Sequence, residues 1–251
     1  MRTIKDFNNH ALIKEFYKIL NSINRAHWEV FCDFLQLSID AFISKSSPDH
    51  PREKDYLQIL ERYPREDAGK FADMLGCVMG FMQDTNTECL SEIWEVVAAN
   101  GNLGQFFTPW NISLLTAQMR VKECDWSIYT PNNKCFISEP SCGGGRTLVG
   151  TLNLIPDGKL DCVLLHGVDV DLNVCHISAL NLLFFNANSV IVHGNTLTLE
   201  VWHVFRTIHT PWGAKLFEIT NKNKMQKYVR GRVIPTEPQF ENLKTIQYEL
   251  F

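Results

Sequence analysis

Several features are scarce in this 251-residue sequence, and each scarcity closes off a class of protein. After Met1-Arg2-Thr3-Ile4-Lys5-Asp6 there is no apolar run of the kind a secretory signal carries. The longest apolar stretches, such as Ala179–Phe185, hold polar breaks and are far too short to cross a bilayer. A soluble, cytoplasmic protein with no membrane partner is expected. None of the eight cysteines falls in a C-x-x-C pair, and no nearby His completes a metal-like set, so no metal site is expected and reduced core thiols are. No charge of one sign dominates: 24 basic and 28 acidic side chains leave a formal charge of -4. A protein that coats itself with nucleic acid is basic throughout, so any such contact here must be local. Hydrophobic residues at 45% and charged ones at 21% exclude a disordered chain and a small disulfide scaffold.

What is present changes character along the chain. Leu12, Phe16, Ile19, Leu20 and Ile23 recur at helical steps, and so do Trp28, Phe31, Phe34, Leu35, Ile39 and Phe42. The turn-forming run Ser46-Ser47-Pro48-Asp49-His50-Pro51 stops the second series. Helical spacing returns in Phe71, Leu75, Val78, Met79 and Met82 and again in Leu90, Ile93, Trp94 and Val97, with Asn100-Gly101 as a stop. These stripes predict a helical lobe over residues 1–103. From Lys134 on, short apolar runs at Cys135-Phe136-Ile137, Cys162–Leu165 and Val190–Val192 alternate with helical stretches at Arg146–Leu154 and Leu172–Phe185. That alternation predicts an α/β region with a parallel sheet over residues 104–251.

A strand, a glycine-rich turn and a helix place backbone N–H groups and a helix N-terminus around a ligand. A phosphate loop of the G-x-x-x-x-G-K type is excluded, because no Lys follows Gly150. The dinucleotide pattern begun by Gly143 and Gly145 fails at Leu148. S-adenosylmethionine fits better. Glu139, ahead of the glycines, suits its ammonium and would repel a pyrophosphate, and Asp169, at the tip of the next strand-like run, can take its ribose hydroxyls.

Glu139-Pro140-Ser141-Cys142-Gly143-Gly144-Gly145 resembles the (D/E)-P-x-C-G-x-G motif of adenine-N6 DNA methyltransferases. Gly104-Gln105-Phe106-Phe107-Thr108-Pro109 resembles the segment that covers the cofactor in type I restriction-modification methylation subunits. Gly167-Val168-Asp169-Val170-Asp171 and His193-Gly194-Asn195-Thr196-Leu197 are similar to the two steps that follow, and Asp73-Met74-Leu75-Gly76 to a turn that comes before. The resemblance implies a Rossmann-like S-adenosylmethionine-dependent methyltransferase core behind an α-helical N-terminal lobe. It implies that Phe106, Thr108 and Pro109 pack on the methionine end. Glu139, Pro140, Ser141, Cys142, Gly143 and Gly145 would hold the amino-acid part, Asp169 the ribose and Val170 the adenine ring. Asn195 would accept the exocyclic amine through its carbonyl.

The same resemblance asks for N-P-P-aromatic after the fourth strand, where two carbonyls accept the protons of the target amine and the aromatic stacks on a flipped base. The chain has no such motif. After the strand-like Val201–Ile208 stands His209-Thr210-Pro211-Trp212, which keeps the second proline and the aromatic. His209 and the Thr210 carbonyl would be the acceptors, with Pro211 shaping the loop and Trp212 as the platform. The alternative is an inactive relative that binds cofactor, DNA or a partner. DNA contact would come through a specificity or partner subunit or through the basic residues Lys215, Lys222, Lys224, Lys227, Arg230 and Arg232.

Overall fold

A computed structural model describes residues 4–46, 52–98, 107–122 and 124–229. Phe106, Arg230 and Arg232 therefore lie outside the described residues, as does the expected lobe boundary at 103. Among the described residues seven α-helices come first: α1 (Ile4–Asn9), α2 (Ala11–Asn21), α3 (His27–Ser46), α4 (Arg52–Leu60), α5 (Arg65–Thr85), α6 (Leu90–Ala98) and α7 (Trp110–Val121). Then follow β1 (Cys135–Glu139), α8 (Arg146–Leu152), β2 (Val163–Asp169), α9 (Leu172–Phe184) and β3 (Ser189–Asn195). A hairpin strand pair, β4 (Glu200–Ile208) and β5 (Lys215–Glu218), and a last helix, α10 (Lys222–Val229), complete the described chain.

The five strands form one mixed sheet in the order β1-β2-β3-β4-β5. The first three are parallel, each crossover carrying a helix, as the alternating pattern predicts. β4 runs antiparallel to β3, and β5 antiparallel to β4. Alternate residues of the strands point to opposite faces. Leu165, Ile191, Phe205 and Leu216 join the helices in a core that reaches back to Ile13 in α2. Leu164, Val168, Val190, Val192 and Val204 pack on the other face beneath Met225 and Tyr228 of α10. The helical region and the sheet thus share one hydrophobic core, with α3 lying on α9 and β5.

A buried ion network pins that junction. Arg52 at the start of α4 pairs with Asp40 of α3 at 2.6 Å and with Glu218 of β5 at 2.7 Å, and His203 Nδ1 lies 3.0 Å from the same Glu218 carboxylate. Burial alone would raise the Glu218 carboxyl, but the hydrogen bonds from Arg52 and His203 outweigh it and hold it at about 2, against an ordinary 4.5. Its stabilising contribution is complete above about pH 4.5 and is lost as pH falls toward 2. Burial raises Asp40, so that group opposes the trend. Acid unfolding followed by circular dichroism is expected to be shallower in this window for Glu218→Gln than for the wild type. Equal slopes would mean the network carries no pH-linked stability.

Candidate functional site

The carboxyl edge of β1, β2 and β3 collects most of the residues singled out in the sequence. β1 ends at Glu139, and the chain turns through Pro140–Gly145 into α8. Gly143 (φ 53°) and Gly145 (φ 81°) take left-handed conformations that a side chain disfavours. Gly144 sits where a Cβ would collide with the Ser91 hydroxyl. The turn is strapped to β2: Cys142 N donates to Val168 O at 2.9 Å, and Gly143 N donates to Asp169 Oδ2 at 3.0 Å. Asp169 Oδ1 accepts the Asp171 amide at 3.1 Å, and Asp171 in turn caps α9. Each Asp169 oxygen keeps a lone pair for another donor. Glu139 is half-buried and makes no side-chain hydrogen bond or ion pair among the described residues. Burial raises its carboxyl, and Arg120 only partly offsets that.

Beneath the turn lies a cluster that the motifs do not contain. Arg146, the first residue of α8 and 4% exposed, pairs with Glu88 at 2.6 Å, Glu92 at 2.9 Å and Glu95 at 3.5 Å. Glu95 also accepts the Phe107 amide at 3.1 Å, and the Arg146 guanidinium lies 5.7 Å from the centre of the Phe107 ring. A Cβ on Gly143 would meet that ring at 2.9 Å. Asn181 of α9 donates to Gly144 O at 2.8 Å and to Glu88 at 3.2 Å. One arginine thus fixes the height of the Phe107-Thr108 segment over the glycine turn. The sequence signal was there: acids spaced four and three residues apart on an otherwise apolar helix face, and a lone Arg directly after the glycines.

The third wall is the β3–β4 turn. Thr196 Oγ1 donates to Pro140 O at 2.6 Å, tying this turn to the glycine loop. Val170, 59% exposed, stands at the rim between them. Asn195 Oδ1 accepts the Leu197 and Thr198 amides at 2.9 and 3.1 Å. Its carbonyl is therefore spent on the turn, which corrects the expectation that it accepts a ligand amine; the side-chain amide N–H groups remain.

A family model described as N-6 DNA Methylase matches residues 88–248, well over half of the chain. The chain belongs to that family. No curated protein and no solved structure matches it. The matched segment starts at Glu88, so it takes in the three carboxylates that hold Arg146.

For an N-6 DNA methylase, the position of His209-Thr210-Pro211-Trp212 is the main correction. Because β4 is antiparallel, its end pairs with the beginning of β3: Thr207 faces Ser189, while Asn195 faces Glu200. The tetrad thus lies at the base of the sheet, and the seven residues of β3 put about 20 Å between it and the carboxyl edge. Its groups are also engaged there. His209 Nδ1 is 2.8 Å from Asn186 O, and the Thr210 carbonyl accepts the Asn186 side-chain amide at 3.0 Å. Trp212 is 96% exposed. The structure does not bring His209, Thr210, Pro211 and Trp212 together with Glu139, Asp169 and Asn195. Thr108 and Pro109 do reach the edge: the Thr108 carbonyl is 3.4 Å from Arg146 Nη1, and Pro109 precedes α7 as its cap. Pro140 and Ser141 are exposed on the glycine turn and Cys142 is buried in it, its thiol pushed up by burial. Among the described residues no group of three metal-ligating side chains occurs, and no helix is long and apolar enough to cross a membrane.

Proposed function

We propose that this chain is the S-adenosylmethionine-holding component of a DNA adenine-N6 methylation system, built on a Rossmann-like core and located in the cytoplasm. The observation that carries the reading is Glu139: a half-buried carboxylate that pairs with no side chain among the described residues, beside glycines that let a ligand approach the backbone. Such a group suits a cation, and S-adenosylmethionine brings two, an ammonium and a sulfonium. Asp169, Asp171 and Glu200 stand at the same edge, where a pyrophosphate would be repelled. Bound there, the cofactor would supply an electrophilic methyl group.

In this reading Glu139 takes the ammonium, and the backbone from Cys142 to Gly145 takes the carboxylate. Asp169 uses its remaining lone pairs for the ribose, and Val170 lies against the adenine. Phe106, Thr108 and Pro109 close over the methionine end, with Arg146 beside the Thr108 carbonyl. Asn195 contributes an N–H rather than a carbonyl. DNA reaches the system with the help of a specificity or partner subunit.

The position of His209-Trp212 favours a second reading of the same site, in which the chain binds cofactor but completes no transfer alone. In-line transfer needs acceptors facing the methyl group, and His209 and Thr210 are about 20 Å away along β3. The separating experiment is labelled-methyl transfer to mixed DNA, run beside calorimetry with the cofactor. Cofactor binding without transfer by the lone chain is the expected outcome. Transfer that Trp212→Ala abolishes would return the tetrad to the catalytic centre, and absence of cofactor binding would sink both readings.

A further inference from the structure

The two ends of the sheet carry opposite charge. Glu139, Asp169, Asp171 and Glu200 flank the carboxyl edge. Lys134 precedes β1 at the base, Lys215 opens β5 there, and Arg206 lies one residue pair above Thr207 and Ser189. Burial lowers Lys134, and the nearby Arg206 charge lowers it further while Asp161 opposes both. One acid at this end, Asp161, already faces His209 at 3.8 Å and receives Lys134 on its backbone carbonyl.

From this base projects Trp212, 96% exposed, on a turn that does not give. Thr210 Oγ1 donates to Gly213 O at 2.6 Å, Gly213 N donates to Thr210 O at 3.1 Å, and the Asn186 amide holds the Thr210 carbonyl from below. A tryptophan held out in water on a tied turn loses contact energy that burial would recover, and the turn's rigidity lowers the entropy cost of docking. The chain that follows is basic on its outside. Lys215 is exposed, Glu218 is committed to Arg52 and His203, and α10 turns Met225 and Tyr228 to the sheet while Lys222, Lys224 and Lys227 face solvent.

We propose that this base edge and the α10 face beside it form a nucleic-acid contact of their own, in which Trp212 stacks on an unpaired base and Lys215, Lys222 and Lys227 sit against phosphates. Every base offers a π-face to an aromatic, and phosphates need cations nearby, so an exposed indole beside lysines matches a nucleic-acid strand. The stacked base lies about 20 Å from the cofactor edge and is not the base that receives a methyl group. The proposal rests on the nucleic-acid partner of the function above and not on its cofactor site.

Fluorescence anisotropy of the full chain with a labelled single-stranded oligonucleotide and its duplex, over a salt series, tests it. The single strand is expected to bind more tightly. Trp212→Ala should weaken it about tenfold, a typical loss for one stacked base, and Trp212→Phe should retain most of the affinity. Replacing Lys215, Lys222 and Lys227 with Gln should lower the salt slope by about 2, near 0.7 for each lost phosphate contact on a single strand. Thermal unfolding and cofactor calorimetry should not move in either variant. A wild type that binds no oligonucleotide, or a Trp212→Ala variant that binds as tightly as the wild type, overturns the proposal. Loss of cofactor binding by the wild type would instead strike the function proposed above and leave this surface standing.

Discussion

Asp169→Ala is expected to weaken S-adenosylmethionine binding on the order of 100-fold, measured by calorimetry. A hydrogen bond to a charged group contributes roughly 1.5–3 kcal/mol, so losing the ribose contact alone accounts for about 10- to 150-fold. The substitution also frees the Gly143 and Asp171 amides, both of which Asp169 now holds. The glycine turn then keeps only the Cys142–Val168 backbone bond to β2, and backbone donors that should meet the ligand are less firmly fixed in place. Asp169→Asn keeps one acceptor and should fall between the wild type and Ala. Equal affinity of Asp169→Ala and the wild type would place the ribose elsewhere. Thermal unfolding of the variant, expected to shift by a few degrees only, shows whether the protein measured is folded.

A larger structural loss is expected from Arg146→Met. Glu88, 1% exposed at its side chain, Glu92 and Glu95 would face one another without a counter-charge. Breaking a buried pair from one side costs about 3–5 kcal/mol, a large part of a total stability of roughly 5–15 kcal/mol. For a chain of this size that corresponds to a fall in Tm of roughly 6–20 °C. Burial already raises Glu92, and the Arg146 charge is what opposes it. Acids whose folded pKa is raised destabilise the fold as pH rises through that value, so the deficit of the variant should narrow as the medium becomes more acidic. Adding Glu88→Gln should recover part of the loss, because the deepest uncompensated charge is gone. A Tm unchanged in Arg146→Met would show that the cluster does not hold the glycine turn.

How far the sequence announced this architecture depends on the range of the interaction concerned. Cys135–Ile137, Cys162–Leu165 and Val190–Val192 read as strands because buried parallel strands are nearly continuous apolar runs, and apart from Cys162, which ends a 3-10 turn, they lie in β1, β2 and β3. Leu172–Phe185 read as a helix for its length and spacing, and α9 fills it but for the last residue. The glycines of the turn were legible because positive φ and close approach select for Gly. The direction of β4 was not taken from the chain, although a signal existed. Only residues 196–199 separate β3 from β4, and a parallel crossover needs a dozen residues or more, so a hairpin was the one connection available. The resemblance at the glycine loop implies a catalytic loop at the carboxyl edge, which that spacing does not allow. Asn195 misled in the same way: Asn followed by Thr-Leu-Thr is a local turn former whose carbonyl is claimed by its own backbone. The spacing of the acids around Arg146 is a local signal, but their pairing with an arginine up to 58 residues further on is made only in the fold.

The core that runs unbroken from Ile13 to Leu216 also bears on how such a protein can be inherited. A module that travels between genes must take its whole interior with it, and the methylase-family segment from residue 88 leaves part of its interior behind. Cut free, α9 and β5 would present to water the apolar surface that α3 now covers, and Glu218 would lose Arg52. The helices ahead of residue 88 are therefore cargo that the family segment cannot shed, and recombination breakpoints that preserve folding in this lineage should fall outside both rather than between them.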